Sequence, residues 1–537
     1  MRTSTGTPDT ESPGAGAVAS PSLRELTDEI ATEKATAVDA GRPAAVSAQH
    51  ERGRLTARER IDRLLDSGTF VEVGQLARPT GDARLMRDID APADGVVVGR
   101  GRVDDRPVVV VSYDFTVLGG SMGHVNDEKF SRARQIALRD GVPLVVFAEG
   151  AGARINERMG STTIRGHERF SDLSLLSGWV PIVCGVSGPA FAGHANLVAL
   201  SDFCVMVKGS ALGLAGPRLV EAATGERVTA EEMGGSTLHA EVLGSVELEV
   251  GDEDAMMDAI RTYLGYFPGN AGKDVPRAAY QSQDGERLPD TMLRLVPDNP
   301  NTAYDMRRLV RLVFDDDSVL EIKPRFARNV VTSLARLGGR PVGVIANNPM
   351  FLAGSLDTPA SDKMARFINI CDAFGLPIVF LADVPGYLVG SAAERTNLVR
   401  HSMRPLWELG QSTVPILTVV IRKAYGLAYH TMGGAEFHPE LLVCWPSAQV
   451  SPMGADGAVN VIYGRHDHVP ADVRDEVTAE FRDLERPIHA ARRVKIDDIL
   501  DPRDTRGTLI DTLCFVQSAS HVSGHWRPPK KRGVSPV

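Results

Sequence analysis

Lys423, Tyr425, Tyr429 and His430 fall within eight residues, "KAYGLAYH", directly after an apolar run, "VPILTVVI" (414–421), and ahead of two further glycines. An amine, two phenols and an imidazole so placed could bind a ligand or exchange protons with it. The end of a buried strand is also where α/β proteins keep their ligands. The rest of the chain lacks the partners that side-chain catalysis would need. It has no G-x-S-x-G elbow, no H-E-x-x-H and no persuasive nucleophile-and-base pair. Five cysteines, Cys184, Cys204, Cys371, Cys444 and Cys514, are scattered without C-x-x-C spacing, so the sequence indicates neither a metal centre nor a disulfide framework. What remains is the main chain. Loops rich in Gly and Ala leave backbone N–H groups bare and free to face a ligand oxygen.

Such loops occur twice, because the chain repeats itself. "RPVVVVSYDFTVLGGS" from 106 aligns with "RPVGVIANNPMFLAGS" from 340, and the offset of 234 holds without a gap from 106–152 to 340–386, with 15 identities in 47 positions. Unrelated segments of this composition would share roughly 3 or 4. Each copy predicts a strand (108–112; 342–346), a turn with Leu118, Gly120 and Ser121 or Leu352, Gly354 and Ser355, and a helix (126–140; 360–374) stopping at Gly141 or Gly375. A proline-led strand follows, "VPLVVFAEG" or "LPIVFLADVPG", then a second helical stretch and the strand "VPIVCGVSG" or "VPILTVVIR". Apolar strands alternating with helices predict an α/β fold whose sheets are covered on both faces.

Composition narrows the function. With 537 residues, 43% hydrophobic and 24% charged, the chain suits a globular protein of two or more domains. A formal charge of −10 argues against a nucleic-acid partner, and the short basic stretch "RPPKKR" (527–532) does not reverse that. No apolar run approaches the roughly 18 to 20 residues that cross a bilayer. The first 22 residues read as a Ser/Thr/Pro/Gly-rich disordered tail without a secretory apolar stretch, so a cytoplasmic protein with no membrane association is expected.

Several long motifs in order resemble the carboxyltransferase (β) subunits of biotin-dependent acyl-CoA carboxylases, of the propionyl-CoA carboxylase type. They are "GRLTARERIDRLLDSGTFVEVG" (53–74), "DFTVLGGSMG" (114–123), "GARI" (152–155), "SDFCVMVKG" (201–209), "VTAEEMGG" (228–235), "CDAFGLPIVFLADVPGYLVG" (371–390), "RKAYG" (422–426) and "MGADGAV" (453–459). The resemblance implies tandem crotonase-like ββα domains, here 23–290 on the biotin side and 291–537 on the acyl-CoA side. It also implies a homohexamer, a trimer of dimers with active sites between facing halves. Its cofactor would be biotin carried on a partner, an α subunit with biotin carboxylase and carrier domains, and its substrate a coenzyme A thioester. This chain has neither a Met-Lys-Met biotin-attachment site nor a glycine-rich ATP loop, consistent with such a partner. By motif position, Ala151 and Gly152 would flank the donors for the biotin carbonyl, and Leu427 and Ala428 those for the thioester carbonyl. Gly119, Gly120, Gly193, His194, Tyr425, Gly426 and His430 would contact substrate.

The chain departs from the family at two motifs and at His194, where the family has a small residue. "EGAGAR" (149–154) replaces Asp-Ser-Gly-Gly-Ala-Arg, and "YGLAY" (425–429) puts Leu427 at a usual glycine, where a positive φ would strain it. His194 and His430 stand at loop positions that the resemblance assigns to the ligand cavity. His430 could select the acyl group or simply fill space; Lys423 and Tyr425 could act on ligand or pack. Two other readings of the chain stay open: a biotin-independent acyl-CoA decarboxylase or acyl transferase, and a scaffold subunit without chemistry.

Overall fold

The computed structural model describes residues 20–79, 84–86, 89–161, 169–280, 288–464, 469–516 and 533–534; the tail expected over 1–22 lies almost wholly outside them, as does the basic stretch at 527–532. Two sheets dominate. The first runs in the order 71–73, 96–103, 106–113, 144–147, 182–186, 203–207, 248–250, and the second 320–322, 330–337, 340–347, 378–384, 416–425, 441–444, 498–499, with 449–451 beside 416–425. In each sheet the first three strands are antiparallel and the rest parallel. The inner parallel strands 144–147, 182–186, 203–207 and 378–384 are buried throughout, as continuous Val/Ile/Leu runs require when helices cover both faces.

The repeat offset survives at the level of register. Val96 pairs with Tyr113 and Val103 with Arg106; 234 residues on, Val330 pairs with Asn347 and Leu337 with Arg340. The strands 96–103 and 330–337 carry no sequence signal as clear as their hairpin partners. "VVVGRGRV" is broken by Gly99 and Gly101, and packing explains both: a Cβ on Gly99 would stand 2.3 Å from the Phe70 ring and one on Gly101 2.4 Å from Leu65.

Each half also repeats a strained turn and a buried lysine. Leu118, Gly119 and Gly120 have φ of 50°, 61° and 65°, and Leu352, Ala353 and Gly354 have 48°, 53° and 80°. The turn brings the backbone against the next strand end: a Cβ on Gly120 would lie 2.1 Å from the Glu149 carbonyl oxygen, so only glycine fits. On the helices His124–Asp140 and Thr358–Ala373, Lys129 and Lys363 point inward. Lys129 Nζ donates to the Ala93 and Val96 carbonyls, and Lys363 Nζ to those of Phe326 (2.9 Å) and Val330 (2.7 Å), pinning the entry to each hairpin. The halves are joined by main-chain bonds such as Ala278 N–H to Gly339 O (2.9 Å). All five cysteines are free, four of them buried.

Candidate active site

The strand Ile416–Tyr425 runs through the middle of the second sheet and hands the chain to a short helix, Gly426–Thr431. The change of direction happens at Gly426, whose φ is 55° and where a Cβ would meet the Pro452 carbonyl oxygen at 2.8 Å. Leu427 follows without a positive φ, so its side chain imposes no backbone strain, and that side chain is 44% exposed while Ala428 is buried. No side chain caps this first turn. The amides of Leu427 and Ala428 therefore sit where a helix supplies no internal acceptor.

Tyr425, just before the turn, lines a cavity of about 620 Å³ together with Lys423, Pro385, Gln449 and Glu485. Its hydroxyl lies 3.1 Å from Gln449 Oε1 and 3.1 Å from Glu485 Oε2. Burial raises the pKa of both the Tyr425 phenol and the Glu485 carboxyl, and lowers that of the half-buried Lys423 amine. His430 sits at the end of the short helix, partly exposed, with Nδ1 3.4 Å from the Glu436 carboxylate and its ring 5.2 Å from that of Tyr429; it does not line this cavity.

The corresponding elements of the first half are built alike and occupied differently. Ala192 adopts φ 53° at the offset position of Gly426, and the helix Gly193–Ala199 follows it. The loop after strand 144–147 is tied down by Gly150 N–H to Pro189 O (2.6 Å) and Phe191 N–H to Gly150 O (3.0 Å), leaving Ala151 exposed at its tip. The Gly152 and Gly120 amides both have partners within the protein. The Gly152 N–H donates to His194 Nδ1 at 3.2 Å, and the Gly120 N–H closes its own turn on Val117 O at 3.0 Å. His194 is fully buried, and burial pulls its pKa down to about 3, so the ring is neutral and its Nδ1 can accept from Gly152. Gly119 has φ 61° with open space where a Cβ would be, and a Cβ on Gly193 would meet Met122 Sδ at 2.7 Å.

The carboxyl transferase domain model matches residues 48–532. The chain belongs to the carboxyl transferase family. It is 37% identical over 521 residues to the propionyl-CoA carboxylase carboxyltransferase subunit of Haloferax mediterranei, covering 96% of this chain and all of that one. It is 36% identical to the methylmalonyl-CoA carboxyltransferase 12S subunit of Propionibacterium freudenreichii subsp. shermanii, covering 95% and 97%. Among solved structures, the transcarboxylase 12S hexamer with methylmalonyl-coenzyme A bound superposes with a TM-score of 0.88 at 34% identity, covering 96% of this chain and 100% of that one. The duplicated α/β architecture is the crotonase-like fold of these carboxyl transferases.

Two acidic residues that sequence reading passed over hold both loops of this carboxyl transferase in place. Glu149 and Asp383 are buried carboxylates at the ends of equivalent strands, 234 residues apart. Glu149 pairs with Arg60 (2.7 Å), which also binds Glu253 (2.7 Å), and with Arg54 (3.1 Å). Asp383 pairs with Arg422 (3.0 Å) and accepts from Tyr304 Oη (2.9 Å) and the Lys423 N–H (3.1 Å). The repeat offset alone would have aligned the two acids; their cations come from non-equivalent elements, and nothing in the sequence joined them.

Proposed function

We propose that the chain is the carboxyltransferase subunit of a biotin-dependent acyl-CoA carboxylase, moving CO2 from carboxybiotin to the α carbon of an acyl-CoA. The carrying observation is the second-half strand end: uncapped amides at Leu427 and Ala428, reached through the turn at Gly426 directly after Tyr425, which lines the 620 Å³ cavity. A ureido or thioester carbonyl needs hydrogen-bond donors at its oxygen, and such amides fit that need. Carried on an α-type partner, carboxybiotin would supply the CO2 and, at its ureido nitrogen, a base for the α-proton. The chain's residues hold carbonyl oxygens as charge develops on them, each pre-aimed donor contributing about 3 to 4 kcal/mol. Glu149 and Asp383 fix the loops by buried ion pairs, and the half-buried Lys423 keeps one wall of the cavity polar.

Assembly as a homohexamer follows from likeness to the 12S hexamer and is supported by exposed apolar side chains, Val389 (93%), Val461 (72%) and Trp407 (67%), that a second copy would cover. The test is a panel of acyl-CoAs offered with labelled bicarbonate. Label should enter acyl-CoA only when a biotinylated partner and ATP are present; decarboxylation of malonyl- or methylmalonyl-CoA by the chain with no biotin present would refute the reading. The reverse direction is a second reading, favoured by 35% identity over 512 residues to the methylmalonyl-CoA decarboxylase α subunit of Veillonella parvula.

A further inference from the structure

Both halves present the same loop and turn, but they differ in the side chain at one buried position of the turn's helix. At the repeat offset, Ala192 matches Gly426 in φ (53° and 55°), and His194 falls on Ala428. Both His194 and Ala428 are fully buried, so one position of the fold holds a methyl group in the second half and an imidazole in the first. The ring is closely boxed. It meets Tyr113 edge-on at 4.4 Å between centroids, and a Cβ on Gly150 would come within 2.6 Å of its Cε1 and 2.8 Å of its Nε2. Its Nδ1 holds the Gly152 N–H at 3.2 Å. The imidazole thus stands between the loop 150–152 and the first turn of Gly193–Ala199, the two segments whose amides would have to converge on one ligand oxygen. An N–H has one proton to give; a ligand carbonyl and His194 compete for it.

We infer that His194 is a built-in plug of the first-half amide site: it keeps the Gly152 N–H in an internal bond, and this half takes a ligand oxygen only when the ring gives way, whereas the second half has only the Ala428 methyl group at that position. His194 is a positioning residue, acting through Gly152. The identity of the oxygen, ureido or thioester, rests on the function proposed above. Exchanging one good acceptor for another costs the ligand the net worth of the internal bond, so removing the ring should tighten first-half binding by about 2- to 12-fold.

Carboxyl transfer from methylmalonyl-CoA to free biotin, catalysed by the assembled chain, reports a separate KM for each substrate. His194→Ala should lower one KM by that factor and leave the other where it was; His194→Asn, whose amide oxygen can still accept from Gly152, should lower it less. Both KM values unmoved, or both moved together, in a variant with wild-type melting and assembly would overturn the plug. If His194→Ala does not assemble, a structure of the wild type soaked with biotin and with coenzyme A decides: a liganded first half with the Gly152–His194 bond intact refutes it, and a displaced ring with Gly152 on the ligand supports it. Absence of transfer by the wild type would sink the functional reading instead, and the soaked structure would still decide the plug.

Discussion

Replacing the amide nitrogen of Leu427 by an ester oxygen, through incorporation of the α-hydroxy analogue of leucine, deletes one N–H and keeps every side chain. The site makes this a clean perturbation. The Leu427 side chain is 44% exposed and stays in place, φ is not positive, and no side chain caps the turn. The one collateral effect is on the Gly426 carbonyl, which becomes a weaker acceptor for the N–H four residues on, at a cost of about 0.5 to 1.5 kcal/mol of stability. Loss of one donor from an oxyanion site costs about 2.7 to 4 kcal/mol in the transition state, a fall in kcat of roughly 10²- to 10³-fold. The assay is the rate of carboxyl transfer in the reconstituted carboxylase at saturating substrates, with a thermal melt of the same sample. A fall of the stated size with a nearly unchanged melt supports main-chain catalysis. A fall below about threefold would mean that the Leu427 amide does not meet the developing charge, and the second-half site would have to be sought elsewhere.

Three further perturbations bear on the frame around the sites. Gly120→Ala places a Cβ 2.1 Å from the Glu149 carbonyl oxygen at φ 65°, and should destabilise by about 3 kcal/mol or more; Gly119→Ala, with nothing within 4 Å and a counterpart Ala353 at φ 53°, should cost about 1 kcal/mol, as denaturant titration of the two variants would show. Asp383→Ala leaves the buried Arg422 unpaired and releases the Lys423 N–H, so unfolding free energy should drop by about 3 to 5 kcal/mol and transfer activity with it. Burial pulls Lys363 from its ordinary 10.5 down to about 7, so between those values the unfolded chain binds the extra proton and stability rises with pH; wild type should gain on Lys363→Met across pH 7 to 10 in parallel melts, and equal slopes would show that the carbonyls around Nζ keep the ammonium charged throughout.

The elements whose physics is local could be read from the sequence: apolar parallel strands, glycine-stopped helices, and a duplication strong enough to fix which turn matches which. Leu427 is a case where sequence posed the question and one backbone angle answered it, since the strain falls on Gly426 and not on the leucine beside it. Long-range pairing resisted. Glu149 meets Arg60 across 89 residues and Asp383 meets Arg422 across 39, and no periodicity marks which arginine serves which acid. His194 was legible as an odd residue at an interesting place, but its direction was not. From the chain alone a histidine beside glycines reads as a group facing ligand; only the 3.2 Å contact with Gly152, under full burial, turns it toward the protein. The two halves thus share a backbone and differ in what the backbone is free to do. That asymmetry follows from a single pair of positions, imidazole against methyl, because a buried acceptor claims an amide as firmly as any ligand can.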